Sequence, residues 1–203
     1  MKKNLLLLLL LPVLAAIAVP AGIKMHIDTY KVDLTTSKIQ WFATKVTGKH
    51  QGTINMSSGE FTSNHGQLGG KFVIDMNTIE VTDLTGEYKG KLENHLKSED
   101  FFSSTKFPTS NFEITSVTPI AGAAAGTPNF TVNGKLTIKG ITNDISFPAS
   151  VKFEGDQLMA SGEAKVDRTK YDIRYGSKTF FADIGDKAIH DEFTLKVDVV
   201  AKR

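Results

Sequence analysis

Residues 145–153 read Ile145-Ser146-Phe147-Pro148-Ala149-Ser150-Val151-Lys152-Phe153, an apolar residue at every second position. Successive side chains of a strand point to opposite faces, so this pattern predicts a strand with one dry and one wet face. Lys139-Gly140 precedes it and Glu154-Gly155-Asp156 follows it. Both are reversal signals, because glycine accepts the positive φ that tight hairpins require.

The same period of two recurs on either side of this run. It shows in Ile39, Trp41 and Ala43, in Phe72, Ile74 and Met76, in Val132, Leu136 and Ile138, and in Phe193, Leu195, Val197 and Val199. Further candidate reversals are Val46-Thr47-Gly48-Lys49, Ser57-Ser58-Gly59, Asn64-His65-Gly66 and Tyr175-Gly176. Strands joined this locally form an antiparallel meander. Ile120 to Pro128, rich in Ala and Gly with prolines near both ends, reads as a surface loop.

One segment breaks the alternation. Tyr88, Leu92 and Leu96 follow one another at intervals of four, which predicts a helix over Glu87–Lys97 with those three facing inward. Lys89, Lys91, Glu93 and Asn94 are then expected to face water. Pro108 closes the connection, and a strand resumes over Asn111–Val117.

Seven or eight such strands leave two long open edges unless the sheet closes on itself. Closure at about eight strands gives an interior wide enough for side chains or for one small ligand. The chain carries 13 Phe against 4 Tyr and 1 Trp. Rings without polar tips suit an apolar guest, but at alternating strand positions they more often form ordinary core.

The first residues bear on the compartment. Lys2 and Lys3 precede an apolar stretch from Leu5 to Val19, with small residues at Ala16 and Ala18. This is the pattern of a cleaved secretory leader, expected over residues 1–21, with residues 22–203 as one exported domain, periplasmic or extracellular. The stretch is short of the roughly 20 residues that span a bilayer. Lys and Arg total 24 and Asp and Glu 22; without Lys2 and Lys3 the two are equal, so nucleic acid is not an expected partner. The chain has no Cys, which removes disulfides, thiolate nucleophiles and cysteine metal sites.

The remaining residues carry no reaction motif. The five histidines, His26, His50, His65, His95 and His190, include no pair at helical ligand spacing, so neither a metal nor a cofactor is expected. Gly-x-Ser-x-Gly is missing, and Gly66-Gln67-Leu68-Gly69-Gly70 opens a strand instead of a phosphate-binding helix.

Four segments in order carry a resemblance. They are Leu96-Lys97-Ser98-Glu99-Asp100-Phe101-Phe102, then Lys106-Phe107-Pro108 leading to Asn111-Phe112, then Gly134-Lys135-Leu136-Thr137-Ile138-Lys139-Gly140-Ile141-Thr142, and Val166-Asp167-Arg168-Thr169 with Tyr171-Asp172-Ile173. Together they make the chain, from about Tyr30 to Ala201, similar to the YceI-like family of exported proteins. The resemblance implies an extended, eight-stranded, lipocalin-like antiparallel barrel with a helix packed across it and a long interior tunnel. It also implies carriage of polyisoprenoids or related amphiphiles, such as isoprenoid quinone precursors and fatty-acid amides. The segments Lys45–Gly52 and Ser177–His190 depart from the common family pattern.

The expected protein is therefore an all-β barrel with one helical insert that binds an isoprenoid or fatty-acyl lipid without catalysing a reaction. Expected tunnel-lining residues are Trp41, Phe61, Phe72, Ile74, Phe112 and Val151 on strands, with Phe101 and Phe102 after the helix. Leu136, Ile138, Phe147 and Ile173 complete the set. An enzyme acting on such a lipid through Asp172, Arg174, Asp183 or His190 is an alternative. So is a filled barrel serving as a partner-binding or envelope-stress protein.

Overall fold

A computed structural model describes residues 27–203. The expected leader over residues 1–21 lies outside the described residues. Nine strands and one helix follow in chain order: β1 (Ile27–Val32), β2 (Lys38–Lys45), β3 (Gly48–Asn64), β4 (Gln67–Val81), α1 (Gly86–Lys97), β5 (Thr109–Pro119), β6 (Phe130–Ile138), β7 (Ile141–Glu154), β8 (Gln157–Asp167) and β9 (Ile189–Lys202). Each strand from β2 to β9 pairs antiparallel with the next, and β9 returns to β2 through Trp41 opposite Leu195. This closes an eight-stranded antiparallel barrel of meander order.

The additional strand, β1, completes a broken stave. Two neighbours are shared: β3 pairs with β1 over Glu60–Asn64 and with β2 over Gly48–Ile54, while β9 pairs with β1 at its end and with β2 before it. The two short strands thus lie one after the other in a single gap. Residues 33–37 bulge between them and are tied to β9, where Asp33 N–H donates to Val200 O at 2.8 Å and Val200 N–H donates to Ser37 Oγ at 3.0 Å.

Local chemistry explains most of the turns. His65 and Gly66 both have positive φ, as do Lys139 and Gly140, which is the hairpin geometry that follows the right-handed twist of the strands. Two readings from sequence are corrected. Ser57-Ser58-Gly59 is no reversal: β3 runs straight through it, with a register shift between Met56 and Ser58. The helix keeps Leu92 and Leu96 half-buried and Lys91 and Asn94 exposed as expected, but Tyr88 is exposed to 74 % while Lys89 and Glu93 lie against β4. Glu93 Oε1 accepts the Val81 N–H at 2.9 Å and Lys89 pairs with Glu80 at 2.7 Å, so polar anchoring to the strand end outweighs the weak apolar stripe.

Glycines on the inward face shape the interior. A Cβ at Gly134 would stand 2.4 Å from the Phe112 ring, one at Gly52 2.6 Å from the Trp41 indole, and one at Gly59 2.8 Å from Phe72. Each ring therefore lies over a neighbouring strand where no side chain rises. Aromatic rings flattened onto the wall in this way leave the axis of the barrel open. Gly134→Ala is expected to destabilise the fold by about 1–3 kcal/mol through overpacking, read as a lower urea midpoint at unchanged m-value. An unchanged midpoint would mean that Phe112 has room to move.

Candidate functional site

The strands enclose a cavity of about 210 Å³ that runs from the helix end of the barrel toward the opposite turns. It exceeds the ~150 Å³ apolar cavities that stay dry and take up benzene. The structure brings all twelve sequence-selected residues to this one surface. Trp41, Phe61, Phe72, Ile74, Phe112 and Val151 reach it from β2, β3, β4, β5 and β7. Leu136, Ile138 and Phe147 reach it from β6 and β7; Phe101 and Phe102 enter from the helix exit, and Ile173 from the β8–β9 connection.

Rings form a continuous band along part of this wall. Phe61 meets Phe72 edge-on at 4.9 Å, Phe72 stacks on Phe112 at 6.2 Å, and Phe112 lies 5.9 Å from Phe147. Sequence selection missed other parts of the wall, including Ile39, Ile54, Met76, Phe193, Leu195 and Val197. The signal for most of these was present, since they share the same period of two with the residues selected. Polar side chains in the lining are few: Ser110, Ser161, Arg168 and His190. Ser110 turns its hydroxyl to Met76 Sδ at 3.0 Å, so it offers little to a polar guest.

The helix end is organised by Arg168, whose side chain is only 4 % exposed. Its Nη1 donates to Ile173 O at 3.0 Å and Tyr175 O at 2.7 Å, its Nη2 to Ile189 O at 3.1 Å, and its Nε to His190 O at 3.2 Å. Asp191 pairs with Nη2 at 3.2 Å. Burial pulls the Arg168 guanidinium below its ordinary pKa, opposed by the charges of Asp191 and Asp167. Burial pushes Asp191 upward, but hydrogen bonds from Ser177 and Thr179 and the charge of Arg168 outweigh it and hold that carboxyl below its usual range. Asp167 accepts from Thr169 N–H at 2.9 Å and starts the turn. Both residues of the Asp167-Arg168 pair thus have structural tasks.

The residues considered for catalysis do not converge on one site. Asp172 is ion-paired with Arg174 and both are exposed. His190 Nδ1 lies 2.6 Å from Thr44 Oγ1, and Asp183 is exposed in the β8–β9 connection. Among the described residues these four make no common hydrogen-bonded cluster, and no three His, Asp or Glu side chains converge as metal ligands do.

Comparison with known proteins agrees with this architecture. The chain is 28% identical over 160 residues to a UPF0312 protein of Shewanella oneidensis, covering 74% of each. It is 30% identical over 150 residues to a UPF0312 protein of Shewanella denitrificans, covering 72% of each. Among solved structures it is similar to BcnA of Burkholderia cenocepacia, with a TM-score of 0.66 at 21% identity over 84% of this chain and 99% of that one. A polyisoprenoid binding domain from Saccharophagus degradans gives a TM-score of 0.60 at 14% identity over 85% and 97%. At these identities the structural likeness speaks for the fold. The model of the YceI-like domain matches residues 30–201, nearly all of the described chain, and the protein belongs to that family.

Proposed function

We propose that the protein binds a long-chain isoprenoid or other amphiphilic lipid in the barrel interior and sequesters or transports it in the cell envelope. The observation that carries this reading is the continuous apolar cavity, with ring faces on its wall and almost no polar side chain along it. Membership of the YceI-like family supports it, as does the polyisoprenoid-binding name of one structural relative. Envelope placement rests on the leader pattern of residues 1–21 alone.

Magnitudes favour a long tail. Burial of a methylene is worth about 0.8 kcal/mol, so a ~15-carbon chain brings about 12 kcal/mol of gross driving force. Association and ordering take back at least about 4 kcal/mol of this, leaving at best roughly micromolar affinity without any polar contact. By the same arithmetic a ~10-carbon chain binds only in the millimolar range. Affinity is therefore expected to rise steeply with tail length until the cavity is filled, which titration with a homologous series of prenyl or acyl chains measures.

The direct test is native mass spectrometry of protein purified without detergent, followed by organic extraction and identification of any released lipid. A bound long-chain lipid recovered chemically unchanged supports carriage. A ligand-free mass, with no uptake of prenyl or acyl chains in the titration, would sink the reading, and turnover of the lipid would favour the enzymatic one.

A further inference from the structure

One end of the barrel has a surface unlike the other. Of the nine large apolar side chains exposed among the described residues, six lie on or beside the connections at the helix end: Val46, Tyr88, Ile141, Tyr175, Phe180 and Phe181. Phe181 is 50 % exposed and Tyr175 48 %. The same connections carry Lys49, Lys170, Lys178 and Lys187, all exposed and in no ion pair, with half-buried Lys45 and Lys139 beside them. Asp183, Asp186 and, at the helix exit, Glu99 are the unpaired acids of these connections, whereas Asp83 is engaged by His50 and Asp172 by Arg174. The helix exit adds no net charge, since Lys97 and Lys106 offset Glu99 and Asp100.

This rim is continuous with the cavity. Tyr175 packs 5.6 Å from Phe101 and 4.5 Å from His95, and Phe101 lines the interior. Arg174 lies over the Phe180 ring at 5.0 Å, which places a cation and an aromatic face side by side at the edge. Exposed rings interleaved with unpaired lysines match the boundary of an anionic bilayer, where aromatic side chains sit at headgroup depth and cations meet acidic lipids. A second copy of the chain fits poorly, because two such rims face to face bring lysines against lysines.

We propose that the helix-end rim docks on an anionic membrane surface and that the lipid tail passes between bilayer and cavity past Tyr175 and Phe101. The proposal rests on the lipid-binding reading above and adds the partner from which the cargo is exchanged. Each lysine near an anionic surface contributes roughly fivefold in affinity, and the interaction is screened by salt.

The test uses the exported product of the full chain and vesicles of phosphatidylcholine with or without about one third phosphatidylglycerol. Co-sedimentation is expected to show at least about tenfold tighter binding to the anionic vesicles, lost near 1 M salt where screening acts over about 3 Å. The double variant Lys170→Glu/Lys178→Glu is expected to weaken this binding by more than about tenfold. Phe180→Ser/Phe181→Ser should weaken it on anionic vesicles and abolish any residual binding at high salt. All four residues lie outside the cavity wall, so equilibrium uptake of a prenyl chain from vesicle-free solution should be unchanged while the rate of transfer from vesicles falls. Wild-type protein that takes up the chain yet ignores anionic vesicles overturns the docking proposal and leaves the carrier intact; so do variants that bind vesicles as the wild type does. Vesicle binding without any lipid uptake overturns the carrier reading and, with it, the exchange role of the rim.

Discussion

Arg168→Ala is expected to destabilise the barrel by about 3–5 kcal/mol, the usual consequence of removing one partner of a buried charged network. Four backbone carbonyls, those of Ile173, Tyr175, Ile189 and His190, converge on this guanidinium from both limbs of the β8–β9 connection, and Asp191 faces it at 3.2 Å. Truncation takes this partner from the four carbonyls and leaves Asp191 held by Ser177 and Thr179 without its counter-charge. For a domain of this size each kcal/mol shifts Tm by about 2–4 °C, so a fall of roughly 6–20 °C should be seen by circular dichroism. Arg168→Lys should recover only part of this, because an ammonium cannot address carbonyls from two segments as a planar fork does. A loss under about 1 kcal/mol in the alanine variant would show that the connection holds itself without the arginine.

Asp191 gives the same network a pH signature. Its folded-state pKa is depressed, so its contribution is fully present above the unfolded carboxylate value of about 3.9 and is lost as pH falls through the lower folded value. The stability difference between wild type and Asp191→Asn should therefore be constant from neutral pH down to about 4 and shrink below it. A difference that grew on acidification would reverse the assigned sign.

How much of this was legible in the sequence depends on whether the cause is local. The alternation in Ile145–Val151 and the Lys139-Gly140 turn act within a few residues, and the sequence reads them as the structure has them, while Phe153 at the strand end is 48 % exposed. The helix, expected over Glu87–Lys97, is found over Gly86–Lys97. The inward turn of Glu93 was not legible, because it is drawn in by the N–H of Val81, a group whose availability depends on where β4 stops pairing. Ser57-Ser58-Gly59 has turn composition, yet Gly59 serves to make room for Phe72 and Val32. Glycine in a strand thus carries two meanings, and cross-strand register decides between them. The broken stave of β1 and β2 was hidden for the same reason: its two halves are defined by the partners they share on β3 and β9.

Hollow against filled was the question that composition left open, and cross-strand pairs of ring and glycine bear on it. Trp41 opposite Gly52 and Gly59 opposite Phe72 are direct register partners, and Gly134 lies under the Phe112 ring. At Gly59 only the side chains of Phe72 and Val32 stand in the way, so a core built to fill would place a branched side chain there; at Gly52 and Gly134 the backbone carbonyls of Glu80 and Glu113 also exclude a Cβ. The arrangement found accommodates large rings while keeping them off the axis.

Ala160→Phe is expected to discriminate most sharply between a void and a core. Ala160 faces the interior between Val151 and Val199, yet it is only half-buried, so the space it opens onto is the cavity itself. In a filled barrel the added ring overpacks and destabilises by about 1–3 kcal/mol. In an open one it gains buried area at little strain, so the apo protein should be as stable as the wild type or more so. The same ring obstructs a tail, and affinity for a ~15-carbon chain should fall at least about a hundredfold, as expected if four or more methylenes lose their place at ~0.8 kcal/mol each. Phe72→Asp tests the wall by polarity instead of volume. Phe72 is 7 % exposed and held between Phe61 and Phe112; a carboxylate there must be stripped of water by any bound tail, at a penalty of several kcal/mol. Lipid binding should then be lost in the folded variant, whereas Phe72→Ala, which keeps the wall apolar, should lose stability by about 3–5 kcal/mol and still bind. Unchanged lipid recovery from folded Phe72→Asp protein, together with unaffected tail binding in Ala160→Phe, would place the ligand somewhere other than the bore.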